Sequence, residues 1–286
     1  MLVVFNPAAG RRRTQRLWRV LDVMIQSGVK LELAETLHPG HATELAQAAA
    51  RSGRRLVVAA GGDGTVAQVA AGLAGSPTQM GIIPLGTANV LAHELGLSFA
   101  PRAVAAALAF GRTRELWPGV ARSEHGARLF VQMLGAGFDA KVVHHLSLPL
   151  KRAIGKAAYV LQGLRETIRY QFPRIAVTID GVATEAGSVI VTKGRFYAGQ
   201  FMLAPDASPA APGFSVALFD RAGPLSTLAY GAALPLGLLR RMPGVRLLRA
   251  REISFGDHRA QTDGDPAGSG PLVVSDAPAP IRVVVA

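Results

Sequence analysis

Leu56-Val57-Val58-Ala59-Ala60-Gly61-Gly62-Asp63-Gly64-Thr65 is the stretch on which the fold turns. Five apolar residues in a row fit a strand buried on both faces. The run passes directly into two glycines, an aspartate, a third glycine and a threonine, and a helix is expected from Val66. Strand, glycine loop and helix form the repeating unit of a parallel α/β domain. Glycines let a backbone approach a polyphosphate without Cβ clashes and take up positive φ. The N–H groups opening the next helix bind anions, aided by its dipole. Asp63 within the loop can orient a Mg²⁺ on phosphate oxygens. A tight turn with a capping aspartate is the other reading of the same residues.

The neighbouring sequence favours the phosphate loop. Leu2–Phe5 reads as a buried strand ended by Asn6-Pro7, and Arg12–Ser27 as a helix with Leu17, Val20, Leu21, Met24 and Ile25 on one stripe. Val29–Ala34 and Met80–Pro84 are further strands; Glu44–Arg51, Val90–Leu95 and Pro101–Phe110 are helices. Three strand ends carry small polar loops, at Asn6–Gly10, Gly61–Thr65 and Gly86–Asn89. Ligands of open parallel sheets bind beyond the carboxyl ends of the strands, so three such loops imply a mononucleotide crevice. No Gly-x-x-x-x-Gly-Lys-[Ser/Thr] is present, and no Gly-x-Gly-x-x-Gly follows the first strand. A P-loop NTPase and an ordinary dinucleotide fold are thereby excluded.

After Glu115 the pattern changes to short apolar runs with period-two alternation: Leu129–Leu134, Arg174–Ile179, Ser188–Thr192, Phe214–Phe219, Val245–Ile253 and Ile281–Val285. Helical patterns interrupt them at Gly155–Tyr170 and Leu225–Met242. Two domains are expected, an α/β domain over 1–118 and a mainly β domain over 119–286.

The 286 residues carry a net charge of +12 and no cysteine, which excludes a disulfide scaffold, a thiolate zinc site and a cysteine nucleophile. Hydrophobic residues at 49% against 17% charged exclude disorder. The uncharged stretches Val66–Ala92 and Ala222–Leu239 are broken by glycines and prolines, so no membrane span is expected. Aromatic residues make up 6% and no basic tract interleaves with them, so nucleic acid is not the expected partner of the positive charge. Lys151, Arg152 and Lys156 lie beside Leu146, Leu148, Leu150 and Ile154, and Arg240-Arg241 follow Leu225–Leu239. Basic residues next to apolar surface suit docking on an anionic membrane. For Leu225–Met242 the alternative is a buried helix with a basic C-terminal cap. His38 and His41 flank Pro39-Gly40 and read as a loop rather than a zinc site.

Asn6-Pro7-x-x-Gly10, Gly61-Gly62-Asp63-Gly64-Thr65 and Pro84-Leu85-Gly86-Thr87-Ala88-Asn89 together resemble the diacylglycerol kinase catalytic domain family. That family includes sphingosine, ceramide and bacterial lipid kinases, and it shares the Gly-Gly-Asp-Gly loop with NAD kinases and phosphofructokinases. Gly135-Ala136-Gly137-Phe138-Asp139-Ala140 resembles its Gly-x-Gly-x-Asp-Ala motif, and Thr262-Asp263-Gly264-Asp265 its late Asp-Gly-Glu element. Gly155 with Ala158-Tyr159 is similar to a helix near the start of its second domain.

The resemblance implies an NAD-kinase-like α/β domain followed by a β-sandwich, with ATP and Mg²⁺ in an interdomain cleft. It implies transfer of the γ-phosphoryl group to a hydroxyl of diacylglycerol or of a sphingoid or ceramide-type lipid. A cytoplasmic enzyme, peripheral at the inner face of the membrane, is the corresponding location. Asn6, Thr36, Gly61, Gly62, Asp63, Gly64, Thr65, Thr87 and Asn89 fall at the nucleotide, and Asp63 at the metal. Phosphoryl transfer needs positioning, charge neutralisation and a group to accept the hydroxyl proton. Asp265 stands at the position of the family's glutamate and is the base by resemblance, with Asp263 as the alternative.

The chain departs from the family pattern at three points. Ala67-Gln68 replace an Asn-Glu pair, Asp265 replaces the glutamate, and Pro212 precedes Gly213 where an acidic residue is associated with a structural Mg²⁺. A second metal is therefore not expected. A soluble kinase of a nucleotide such as NAD, and a silent nucleotide-binding module, are the alternative functions.

Overall fold

Leu56–Gly61 is a strand buried along its whole length. The computed structural model describes residues 1–7, 11–146 and 156–286. It divides into two units, residues 1–117 with 278–286, and residues 118–277.

The first unit runs β1 (Leu2–Phe5), α1 (Arg11–Gln26), β2 (Glu32–Glu35), α2 (His41–Arg51), β3 (Leu56–Gly61), α3 (Asp63–Leu73), β4 (Gln79–Pro84), α4 (Val90–Glu94), α5 (Pro101–Phe110) and β5 (Arg112–Leu116). Its sheet has the order β2-β1-β3-β4, then the closing strand Ile281–Val285, then β5. The first four strands are parallel; the closing strand pairs parallel with β4 and antiparallel with β5. Every residue of β1 and β3 is buried, as strands covered on both faces must be. Leu17, Val20, Leu21 and Met24 of α1 repeat at helical spacing and enter a core with Val3, Phe5, Val58 and Ile83, whereas Ile25, expected on the same stripe, is exposed.

The second unit comprises β6 (Gly119–Ser123), β7 (Gly126–Phe130), β8 (Met133–Gly137), α6 (Phe138–His145), α7 (Lys156–Arg169), β9 (Ile175–Ile179), β10 (Val182–Ala186), β11 (Ser188–Thr192), β12 (Phe196–Tyr197), β13 (Phe201–Met202), β14 (Phe214–Phe219), α8 (Pro224–Ala233), β15 (Val245–Ala250), β16 (Ile253–Thr262) and β17 (Asp265–Asp276). The closing strand is thus β18. Ten antiparallel strands are linked in the order β15-β14-β11-β8-β16-β17-β6-β7, with β9 and β10 branching from β16. β16 is the strand that serves two layers. Ile253–Phe255 pair with β9 and Ala260–Thr262 with β8, and register shifts between Phe255/His258 and Arg259/Gln261 separate the two parts. Bulges bend a strand in this way and let it pass from one sheet layer to another. Ile175 and Val177 of β9 then share one core with Leu134, Val189, Val216 and Phe255.

Three sequence expectations need correction. The second domain was expected to reach residue 286, but 278–286 belong to the first unit. Ile281, Val283, Val284 and Val285 are all buried, which suits an interior strand between β4 and β5. The runs Leu129–Leu134 and Val245–Ile253 each split into two strands. In the first the amides of Val131 and Gln132 bond the Asp263 carboxylate, and in the second those of Arg251 and Glu252 bond Asp180. Neither buried-helix packing nor full length holds for Leu225–Met242. The helix stops at Ala233, before Pro235 and Gly237 (φ 67°), and Leu225, Leu228, Leu236 and Leu238 are exposed. Gly155 and the segment carrying Lys151, Arg152, Leu148, Leu150 and Ile154 lie outside the described residues.

Deleting residues 278–286 removes four buried apolar side chains, each worth about 1.5–3 kcal/mol. Their sum is comparable with a whole domain's stability of about 5–15 kcal/mol. The shortened chain is expected to lose cooperative unfolding of the first unit by circular dichroism; a melt like that of the full chain contradicts this placement of β18.

Candidate active site

In the first unit the chain leaves β1 toward β2 on one side and returns as β3 on the other. At such a switch point the strand ends diverge and leave a ligand crevice. Asn6 follows β1, and its side-chain amide donates to Thr65 Oγ1 at 3.4 Å. Its backbone N–H donates to Ala60 O at 3.3 Å, while that of Thr36, just after β2, donates to Phe5 O at 2.9 Å. Asn6, Thr36 and Gly61–Thr65 therefore share one edge. The loop after β4 joins them, since Leu85 N–H donates to Gly61 O at 2.8 Å. Ala8–Gly10 of the first loop lie outside the described residues.

Close approach explains the glycines here. A Cβ on Gly86 would lie 2.5 Å from Gly62 Cα and 2.5 Å from Asn89 Oδ1, and one on Gly61 would lie 2.5 Å from Thr65 Oγ1. None of Gly61, Gly62, Gly64 and Gly86 takes the positive φ anticipated for such a loop. The left-handed residue is Asn89 (φ 48°), whose Oδ1 accepts from Gly86 N–H at 2.6 Å and whose Nδ2 donates to Gly86 O at 2.9 Å. Asn89 thus closes its own loop around Thr87. Asp63 turns toward the start of α4 and accepts from Leu91 N–H at 3.4 Å. Burial pushes its carboxyl pKa up, against the pull of the amides of Leu91, Val90 and Asn89. The N-cap of α3 is Gly62, with no side-chain cap bond, so this helix start opens on the rim without a capping side chain.

In the second unit Asp263 and Gly264, at φ 50° and 82°, form a two-residue hairpin turn of type I′ between β16 and β17. The two candidate bases differ sharply. Asp263 accepts three backbone N–H bonds, from Val131 at 2.7 Å, Gln132 at 2.8 Å and Met133 at 2.9 Å. Asp265 opens β17 with a side chain 43% exposed, 4.0 Å from Arg128. Asp139 of the Gly-x-Gly-x-Asp-Ala motif fits because Gly135 has no Cβ, which would fall 2.1 Å from its Oδ2. Tyr197 Oη donates to Asp139 Oδ1, and Gln261 Nε2 to Oδ2 at 2.6 Å. Gln261 Oε1 in turn accepts from Gly264 N–H at 2.8 Å. Burial raises the Asp139 pKa and, with the Asp139 charge, pushes Tyr197 well above the usual phenol range. One chain of hydrogen bonds therefore runs from Tyr197 to the turn that carries Asp265.

Sequence reasoning did not single out Tyr197 or Gln261. Gln261 adjoins the Thr262–Asp265 element, which was an available signal; Tyr197 lies in no motif. Among the described residues His38, His41 and Glu44 form a group with metal-ligand chemistry. His41 Nδ1 already accepts from Leu37 N–H at 3.0 Å, which leaves the neutral ring's proton on Nε2 and no lone pair for an ion.

Residues 1–120 match the family model for the diacylglycerol kinase catalytic domain, and residues 132–285 that for the YegS C-terminal NAD kinase beta sandwich-like domain. An α/β unit with a glycine rim, followed by such a sandwich, defines a phosphotransferase of the lipid kinase class. A diacylglycerol kinase of Bacillus subtilis strain 168 is 30% identical, over 72% of this chain and 69% of its own. The "Probable lipid kinase YegS-like" of Pseudomonas aeruginosa strain PAO1 is 30% identical over 99% of this chain and 93% of its own. A crystal structure of a diacylglycerol kinase from Bacillus anthracis strain Sterne shares the fold at TM-score 0.74 and 18% identity, covering 100% of this chain and 96% of that one. The chain belongs to the lipid kinase family that joins a diacylglycerol kinase catalytic domain to a YegS-type C-terminal domain.

Asp263→Ala strips three amides of a charged acceptor and should lower the unfolding free energy by on the order of 3–5 kcal/mol. Asp265→Ala should stay within about 0.5 kcal/mol of the parent, as exposed positions do. Urea unfolding monitored by fluorescence separates the two; equal losses would contradict the division of roles. Gly86→Ala should cost stability as well, because the rim has no space for a methyl group.

Proposed function

We propose that this chain transfers the γ-phosphoryl group of ATP to the hydroxyl of a lipid, of diacylglycerol or sphingoid/ceramide type. The observation that carries the reading is the glycine rim at the switch point, where Gly62 and Gly86 leave bare backbone beside the uncapped start of α3. Such a rim fits a polyphosphate, which backbone amides and the helix dipole stabilise together. Gly61–Thr65 would hold the phosphates, with Asn6, Thr36 and Thr87 along the same edge and Asn89 fixing the loop. Asp63 is a carboxylate whose burial disfavours its charge, a setting in which a divalent cation is welcome. Bound there with the nucleotide, Mg²⁺ would neutralise charge on the phosphoryl oxygens. Asp265 is assigned the hydroxyl proton, since the carboxylate of Asp263 is occupied by the three amides.

A lipid acceptor calls for contact with a membrane, and the second unit supports that too. Helix α7 is inverted: Val160 (65% exposed), Leu164 (49%) and Ile168 (88%) line its outer face at helical spacing. Gln162 and Glu166 are buried beneath and hydrogen-bonded at 2.8 Å. Arg165 and Arg169 are exposed on the same helix, and Arg240 and Arg241 are exposed near Leu236 and Leu238. Apolar side chains ringed by arginine suit shallow insertion into an anionic leaflet. No helix among the described residues is long and apolar enough to cross a membrane. We therefore assign the chain a peripheral place at the cytoplasmic face.

Incubation with labelled ATP, Mg²⁺, a panel of lipid micelles and NAD should label a lipid and leave NAD unlabelled. Asp63→Ala should abolish transfer, and Asp265→Asn should lower kcat by about 10²–10⁴-fold, the usual worth of a general base. Full rates in both variants reject the assigned roles, and labelled NAD would move the chain to the nucleotide kinases. In liposome sedimentation, Leu164→Glu with Ile168→Glu should reduce binding to anionic vesicles. Equal binding of the parent to neutral and anionic vesicles would remove the electrostatic argument.

A further inference from the structure

Lys193, just after β11, is the charged side chain most completely withdrawn from water among the described residues, with its side chain 0% exposed. Its ammonium has three N–H donors and meets three oxygens: Gly213 O at 2.7 Å, Asp276 Oδ1 at 2.6 Å and Ala211 O at 3.3 Å. The second oxygen of Asp276 accepts from Gly213 N–H at 2.6 Å, so the cage closes on itself. The Phe214 ring lies under the ammonium, 4.5 Å from its centroid. Two peptide carbonyls and one carboxylate are the donors that a hard cation such as Mg²⁺ or Ca²⁺ selects. The loop that supplies both carbonyls is where Pro212 replaces the acidic residue associated with a structural metal. That ion does not fit here, because its place among the oxygens is filled.

We propose that the Lys193 ammonium is the resident cation of this cage and that the second unit needs no divalent ion there. The cage ties the end of β11 and the end of β17 to the loop before β14, a task a metal would otherwise perform. Burial pulls the Lys193 amine pKa down and the Asp276 partner opposes that pull, which accounts for the need for every oxygen. Lys193 N–H also donates to Gln132 O at 2.8 Å, and Gln132 N–H is one of the three held by Asp263.

Thermal unfolding of the full chain without nucleotide tests this. The parent should melt within about 1 °C in EDTA, in Mg²⁺ and in Ca²⁺, as a protein with no ion to lose does. Lys193→Met should lower the melting temperature by on the order of 10 °C in all three, since it removes the cation from three oxygens and leaves the half-buried Asp276 carboxylate without its ion-pair partner. Lys193→Ser, which leaves the oxygens open, should recover a large part of its loss in Ca²⁺ or Mg²⁺. A parent destabilised by EDTA, a Lys193→Met melt equal to the parent's, or a Lys193→Ser melt that neither ion moves would each overturn the proposal. Should both variants fail to fold, the comparison of the parent with and without EDTA still decides it.

Discussion

The contact between Gly62 and Gly86 holds the working edge of the first unit in place. Side chains have no room there: a methyl carbon on Gly86 would sit 2.5 Å from the Gly62 Cα. Because two loops meet backbone to backbone, the start of α3 lies against the turn after β4. Asn89 and Asp63 can then reach across with short side chains. Phosphoryl transfer asks a protein mainly for fixed position and charge neutralisation. An edge assembled from backbone amides meets the first demand with little loss of side-chain entropy.

The second unit uses the same device twice. Asp180-Gly181 and Asp263-Gly264 are both type I′ turns, with φ near 50° and then above 80°. In each, the aspartate reaches sideways to the amides of a neighbouring segment, Arg251 and Glu252 in one case and Val131 to Met133 in the other. An amide bound to a carboxylate is lost to the strand ladder, which is why the two runs break at Val131-Gln132 and at Arg251-Glu252. At Asp180 the bonded amides also pull the carboxyl below its ordinary pKa. The aspartate at the Asp-Gly turn is thus a structural fastener, and the following Asp265 is the one with an exposed carboxylate.

Much of this was readable from residue order. Local periodicity sufficed for β1, β3, β4, α5, β11 and β14, because their burial pattern is written in adjacent residues. The loops Gly61–Thr65 and Gly86–Asn89 were legible for the same reason. Features that depend on distant partners were not. The apolar pattern of β18 marks a buried strand but not whose sheet it joins, since Leu116 and Met80 lie far away in sequence. Likewise Lys193 looks like a surface lysine until Asp276 and the loop at Gly213 fold around it. Tyr197 and Gln261 draw their meaning from Asp139, itself recognisable only by motif.

The second unit is an insertion within the first: residues 118–277 interrupt a sheet that is completed only by Ile281–Val285. On a ribosome the inserted unit emerges whole before its host can close. Domains commonly fold as units during synthesis, so the β unit is expected to mature first while the parallel sheet of the first unit waits with one edge open at β4. The half of the molecule read first by the ribosome is in this way finished last.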